Sequence, residues 1–214
     1  MEFSKSLVLF VSVCCLVVSS INAVPISRSQ SLSVEVAAAP TPSHGHGLIN
    51  GVVSKAVPHL AELQDLCKDG ENVDLCIETI APEIHGALDP VHAAIVEIGA
   101  TLNETLKVSS IIRSLKEDPK TSKGMIDALD ICADQYDLIT DTIAMSLELM
   151  HQNDVAGAWT TFSAVISCQS TCEDAFKESP GEAFPFADDS KTLFQLGGNT
   201  LAILMRLNGE TSPY

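Results

Sequence analysis

From Leu48 to Leu207 apolar residues recur every three to four positions, the spacing that lines one side of an α-helix, and no stretch alternates as a half-buried strand would. The pattern predicts a helix over residues 48–66, interrupted near Pro58, and a short one from Asp74 to about Ile84. Asp89-Pro90 pairs a capping side chain with proline at the first helical position. It opens a long helix to about Lys116, carrying Ile95, Ile98, Leu102, Leu106, Ser109, Ile112 and Leu115. Asp118-Pro119 breaks that run, and the next helix extends from residues 121–123 to Gln152. Asn153-Asp154 is a turn and cap before a helix that carries Trp159, Phe162, Val165, Cys168 and Cys172. Ser179-Pro180-Gly181 and Pro185 mark a loop. The last helix runs from about Asp189 to Leu207, with Gly197-Gly198 expected to weaken its middle. Four long helices with short connections predict an all-α, up-and-down four-helix bundle, with the two early short helices as an N-terminal helical hairpin.

The segment 125–150 is the most informative. At about 100° per residue, Met125, Leu129, Cys132, Tyr136, Ile139, Ile143, Leu147 and Met150 share one face. Asp127, Asp130, Asp134, Asp137, Asp141 and Glu148 share the opposite one, which reads as a nearly pure carboxylate stripe. No Lys or Arg occurs between Lys123 and Lys177, so no cation one turn away on the same helix offsets the repulsion. A solvated face, touching basic residues of a neighbouring helix, would account for it. So would a docking surface for a basic partner, where complementary fields steer association.

The first residues indicate a compartment. A short Met1–Lys5 start ending in a lysine, an apolar run over residues 7–18 and small residues before a cleavage position after Ala23 form a secretory signal pattern. The run is too short to span a bilayer comfortably. Residues 24–47, rich in Ser, Pro and Ala, read as a flexible linker, in which His44 and His46 make at most a weak metal site. The domain then covers residues 48–208, with 209–214 as a tail. The expectation is a secreted, extracellular protein, free of the membrane once the signal is removed and monomeric when alone. A formal charge of −16 argues against nucleic acid and anionic membranes as partners. Aromatics make up only 5% of the chain and Trp159 is its one tryptophan, which disfavours a sugar cleft walled by stacking rings.

Cys67, Cys76, Cys132, Cys168 and Cys172 follow the signal, so one thiol is left over in an oxidising compartment. Spacing alone does not fix the pairing. Cys67 and Cys76 flank a polar turn and can close a hairpin locally. Cys168 and Cys172 lie one helical turn apart, where a bridge would distort the helix. Across an antiparallel pair turning near Asn153, Cys132 and Cys172 are about equally distant from the turn, which favours that pair over Cys132–Cys168. Cys168 then reads as a buried structural thiol beside Phe162 and Val165.

Catalytic patterns are missing. The chain has no GxSxG, HExxH, P-loop or GxGxxG, and His59, His85, His92 and His151 are scattered. Carboxylates on one convex helix do not face each other across a cleft, as glycoside hydrolysis requires. No metal or other cofactor is implied.

Three motifs carry a family resemblance. Residues 67–76, from Cys67 to Cys76 with eight residues between the cysteines, resemble the N-terminal hairpin of the plant invertase and pectin methylesterase inhibitors. Residues 128–136, Ala-Leu-Asp-Ile-Cys-Ala-Asp-Gln-Tyr, are similar to that family's third-cysteine helix, and residues 170–176, Ser-Thr-Cys-Glu-Asp-Ala-Phe, to its fourth-cysteine motif. The resemblance implies disulfides Cys67–Cys76 and Cys132–Cys172, a four-helix bundle with a hairpin, and secretion to the cell wall. It also implies one-to-one inhibition, with the polar bundle face covering the substrate cleft of a pectin methylesterase. The positions it assigns to that contact are Asp134, Gln135, Tyr136, Asp141, Thr171 and Asp174, although Tyr136 projects to the apolar side. Two departures stand out. Family members often carry their odd cysteine in the last helix, where this chain has Leu196-Gly197-Gly198-Asn199. Where invertase inhibitors share Pro-Lys-Phe, this chain has Asp154-Val155-Ala156-Gly157, which points to the esterase over acid invertase. Asn103-Glu104-Thr105 is a glycosylation sequon.

Overall fold

The computed structural model describes residues 59–209. The expected signal segment, the linker with its two histidines, and the helix before Pro58 lie outside those residues. The helices are α1 Leu60–Cys67, α2 Val73–Ile80, α3 Pro90–Glu117, α4 Lys123–His151, α5 Val155–Phe162, α6 Ala164–Lys177 and α7 Ala187–Leu207, with a 3-10 turn at Ala81–Glu83. No strand occurs among the described residues. The expected all-α bundle is what forms. α3, α4, the α5–α6 pair and α7 each pack against their neighbours in a closed ring, and α1–α2 is the appended hairpin against α7 and α3.

Local chemistry sets the helix ends. Asp89 accepts the Val91 N–H at 2.9 Å with Pro90 behind it, and Ser122 accepts the Met125 N–H at 3.0 Å. Asp154 accepts the Gly157 N–H at 2.9 Å, and Asn153 adopts the left-handed φ of 58° that asparagine tolerates. The second short helix tightens into the 3-10 turn at Pro82, which has no N–H to continue the ladder. One expected helix is divided. The run carrying Trp159 to Cys172 is interrupted at Ser163, whose hydroxyl donates to the Thr160 carbonyl at 2.7 Å and competes with the backbone for it.

The core face of α4 is as projected: Leu129, Cys132, Tyr136, Ile139, Ile143 and Met150 are buried. It meets Ile98, Val108 and Ile112 of α3, Phe162, Val165 and Cys172 of α5–α6, and Leu193 and Ile203 of α7 in one cluster. Thr101 and Thr105 are fully buried because their hydroxyls bond back to the carbonyls of Glu97 and Thr101, at 2.9 and 2.8 Å. The 179–185 loop leads into a buried residue, Phe186. Its ring stands edge-on to Phe176 at 5.8 Å, Phe184 at 4.7 Å and Tyr136 at 6.2 Å, closing one side of the core.

α7 runs unbroken through Gly197-Gly198, and neighbouring side chains lie close to both positions. A Cβ at 197 would meet the Ile166 side chain at 2.8 Å, and one at 198 would run into Glu71 of the hairpin. Beside them, Asn199 ties the hairpin to the bundle. Its Oδ1 accepts the Asn72 N–H at 2.9 Å, and its Nδ2 donates to the Asn72 carbonyl and to Glu97 Oε1, both at 3.1 Å. Glu97 is fully buried and its second oxygen has no hydrogen-bond partner among the described residues. Arg206 adds an outer clasp to the backbone carbonyl and carboxylate of Asp65, and holds that carboxyl below its ordinary range together with Lys68.

Candidate functional site

The candidate site is the outer side of α4 with the adjoining side of α6. All six carboxylates of the stripe, from Asp127 to Glu148, are exposed. Among the described residues one of them forms an ion pair, Asp130 with Lys116 of α3 at 2.7 Å. Glu148 accepts from Gln152 at 2.8 Å. α3 and α4 frame a groove of about 300 Å³ lined by Ser109, Ile112, Arg113, Lys116, Glu117, Ala133 and Asp137. The α3 flank of the stripe is therefore bordered by two cations, which the projection of α4 alone does not reveal.

The disulfides pair as the resemblance implies, Cys67–Cys76 with Cα atoms 5.9 Å apart and Cys132–Cys172 with Cα atoms 4.5 Å apart. The second bridge holds α4 against α6. Asp134 and Gln135 follow Cys132 in sequence, and Thr171 and Asp174 flank Cys172, so the bridge fixes the register of the two segments. Asp134, Asp141, Thr171 and Asp174 are exposed and Gln135 is half-buried. Asp141 sits two turns further along α4. Thr171 donates to the Ser167 carbonyl at 2.9 Å, and Asp174 pairs with Lys177 at 2.9 Å.

Tyr136 does not belong to this surface. It is fully buried, and burial pushes its hydroxyl well above the ordinary tyrosine range. The neighbouring Ser190 hydroxyl donates to Glu173 at 3.1 Å and accepts from Gln169 at 2.8 Å. Its place in α4 accounts for this: it projects with Cys132 and Ile139 into the bundle. A residue so placed supports the surface from behind and cannot touch a partner.

Among the described residues Cys168 is the free thiol; it is buried, and burial raises its pKa. Among the described residues no cluster of three or more His, Cys, Asp or Glu could hold a metal, and no helix is long and apolar enough to cross a membrane. Asn103 is exposed on α3, at the edge of a shallow groove lined by Thr79, Glu83, Val96, Gly99 and Ala100.

The sequence matches the family model described as plant invertase/pectin methylesterase inhibitor over residues 61–203. The chain belongs to this family. That span holds both disulfides and the whole α4–α6 face. A curated relative, a putative invertase inhibitor from Platanus orientalis, is 28% identical over 137 residues, covering 62% of this chain and 78% of that protein. Two solved structures share the fold. A mutant form of a pectin methylesterase inhibitor from Arabidopsis has a TM-score of 0.59 at 20% identity, over 67% of this chain and 95% of that one. A pectin methylesterase inhibitor from Arabidopsis thaliana has a TM-score of 0.51 at 19% identity, over 68% and 95%. Family and relatives are inhibitors rather than enzymes, and so is this chain.

The projection missed part of the face. Ile131, Leu138 and Met145 are exposed among the carboxylates, so the stripe is not purely acidic. The signal was available, since these three recur every seven residues within the charged face.

Proposed function

We propose that the chain is a secreted inhibitor that binds a pectin methylesterase one-to-one through the α4–α6 face. It covers the esterase's substrate cleft and limits pectin de-esterification in the cell wall. The observation that supports this reading is the exposed carboxylate row of α4, on the helix that the Cys132–Cys172 bridge ties to α6. Five of its six acids have no ion pair within the described residues, so their field is available to a basic partner. The docking set is Asp134, Gln135, Asp141, Thr171 and Asp174. The free protein is a monomer, and Asn103, on α3, carries a glycan in the secreted form.

A second reading, inhibition of an acid invertase, is favoured by the name of the Platanus relative. Against it stands the Asp154–Gly157 turn, which occupies the place of the Pro-Lys-Phe segment of invertase inhibitors with a capped helix start. The deciding experiment titrates the purified protein against a cell-wall pectin methylesterase and an acid invertase in parallel. Stoichiometric loss of esterase activity alone is expected. Loss of invertase activity alone would replace the first reading by the second, and loss of neither would end both.

A further inference from the structure

Asp127, Ile131, Asp134, Leu138, Asp141, Met145 and Glu148 follow one another at intervals of four, three, four, three, four and three residues. That mean spacing of 3.5 drifts by only about 20° per seven residues on a straight helix, so the seven side chains form one line along α4. Carboxylates and apolar side chains alternate along it. Ile131 is 45% exposed, Leu138 50% and Met145 60%. Single exposed apolar residues are ordinary on a protein surface. Here, however, half of the large exposed apolar side chains of the described molecule stand on this line, the others being Leu60, Val91 and Leu106. Asp127, Asp134, Asp141 and Glu148, the acids between them, all lack an ion pair among the described residues.

We propose that this alternating line is the docking seam of the inhibitor, with Ile131, Leu138 and Met145 as its anchors. Its occupant is a protein surface that offers an apolar furrow bordered by basic side chains. This rests on the reading that the chain inhibits a wall enzyme, and places the furrow on that enzyme. The chemistry divides the work. The carboxylates attract the partner from a distance, which acts on the association rate and weakens with salt. The apolar side chains make contact only once water is expelled, so they act on the dissociation rate and are indifferent to salt. A second copy of the chain is a poor occupant, because pairing two such seams would set carboxylate rows against each other in a molecule of charge −16.

The test measures inhibition and binding kinetics for wild type, Leu138→Ser, Met145→Ser and the double variant Asp134→Ala/Asp141→Ala, at low and high salt. Thermal melts confirm that these surface changes leave the fold intact. Each apolar variant is expected to weaken binding about tenfold, through faster dissociation and with the salt dependence unchanged. The double acid variant slows association and flattens the salt dependence. Wild-type affinity in both apolar variants, with the acid variant impaired, would overturn the seam while leaving the inhibitor reading standing. A wild-type protein that inhibits neither enzyme would remove the reading and the seam's occupant together. A wild-type dimer dissolved by Leu138→Ser, with inhibition unchanged, would assign the seam to self-association and overturn the proposal.

Discussion

Glu97 makes the stability of this fold depend on pH in an unusual direction. Its carboxyl is fully buried where the hairpin meets α3 and α7, one oxygen bonded by Asn199 at 3.1 Å and the other unpartnered. Burial raises its pKa from 4.5 to about 8, and only the Asn199 bond opposes that. In the unfolded chain the group ionises near 4.5; in the folded one it keeps its proton to about pH 8. Folding therefore takes up a proton between those values, and stability is highest below the lower one and falls as pH rises towards the upper. Each unit is worth about 1.4 kcal/mol, so the difference of about 3.5 units sets a ceiling of roughly 5 kcal/mol on the loss. Glu97→Gln removes the titration and retains an acceptor for Asn199. At pH 5 the variant should lie within about 1 kcal/mol of wild type, the cost of one extra unpaired amide hydrogen. At pH 8 it should be the more stable by several kcal/mol. Urea unfolding followed by helical circular dichroism at pH 5, 6.5 and 8 reads the difference between the two proteins, which cancels every other titrating group. A difference independent of pH would refute the reasoning.

Other outcomes follow from the same contacts. Replacing Cys132 and Cys172 together by Ser opens a loop of 40 residues and should cost about 4 kcal/mol in chain-entropy terms, read by thermal unfolding. Gly70→Ala would put a Cβ 2.5 Å from Asn199 Oδ1 and 3.3 Å from its Cα. It should destabilise by about 1–3 kcal/mol and speed amide exchange in the hairpin before the bundle. Cys168 should resist alkylation in the native protein and react fully after denaturation, as its burial and raised pKa require.

The bundle was legible because its helices are amphipathic and their ends are marked. Asp89-Pro90, Ser122 and Asp154 cap where the pattern changes, and each cap is present in the structure. The Cys132–Cys172 bridge was within reach of simple counting from the turn. What stayed hidden depends on neighbours that no single helix displays. Glu97 reads as a surface charge, and only the packing of Asn199 and Asn72 around it makes it a core residue. Asp130 gains Lys116 from the preceding helix. Gly197 and Gly198 read as helix weakeners, whereas α7 runs through them with the side chains of Ile166 and Glu71 lying close against these positions. Phe186 lies beyond a loop of Pro and Gly and has no periodic partner to announce its burial. On the candidate site, projection located the acids and set Tyr136 on the core face, where it lies; it was the family resemblance that counted Tyr136 among the contact residues. Projection passed over the apolar residues standing between those acids.

The central claim, that the α4–α6 face is where this inhibitor meets its enzyme, is tested most directly by the affinity of Asp134→Ala/Asp141→Ala for the esterase or invertase that the wild-type protein inhibits. Both carboxylates are exposed, so helicity and melting temperature should be unchanged while the inhibition constant rises by at least about tenfold. An unchanged inhibition constant in the folded double variant would contradict the account and reduce the acidic face to a solvated side of a helix.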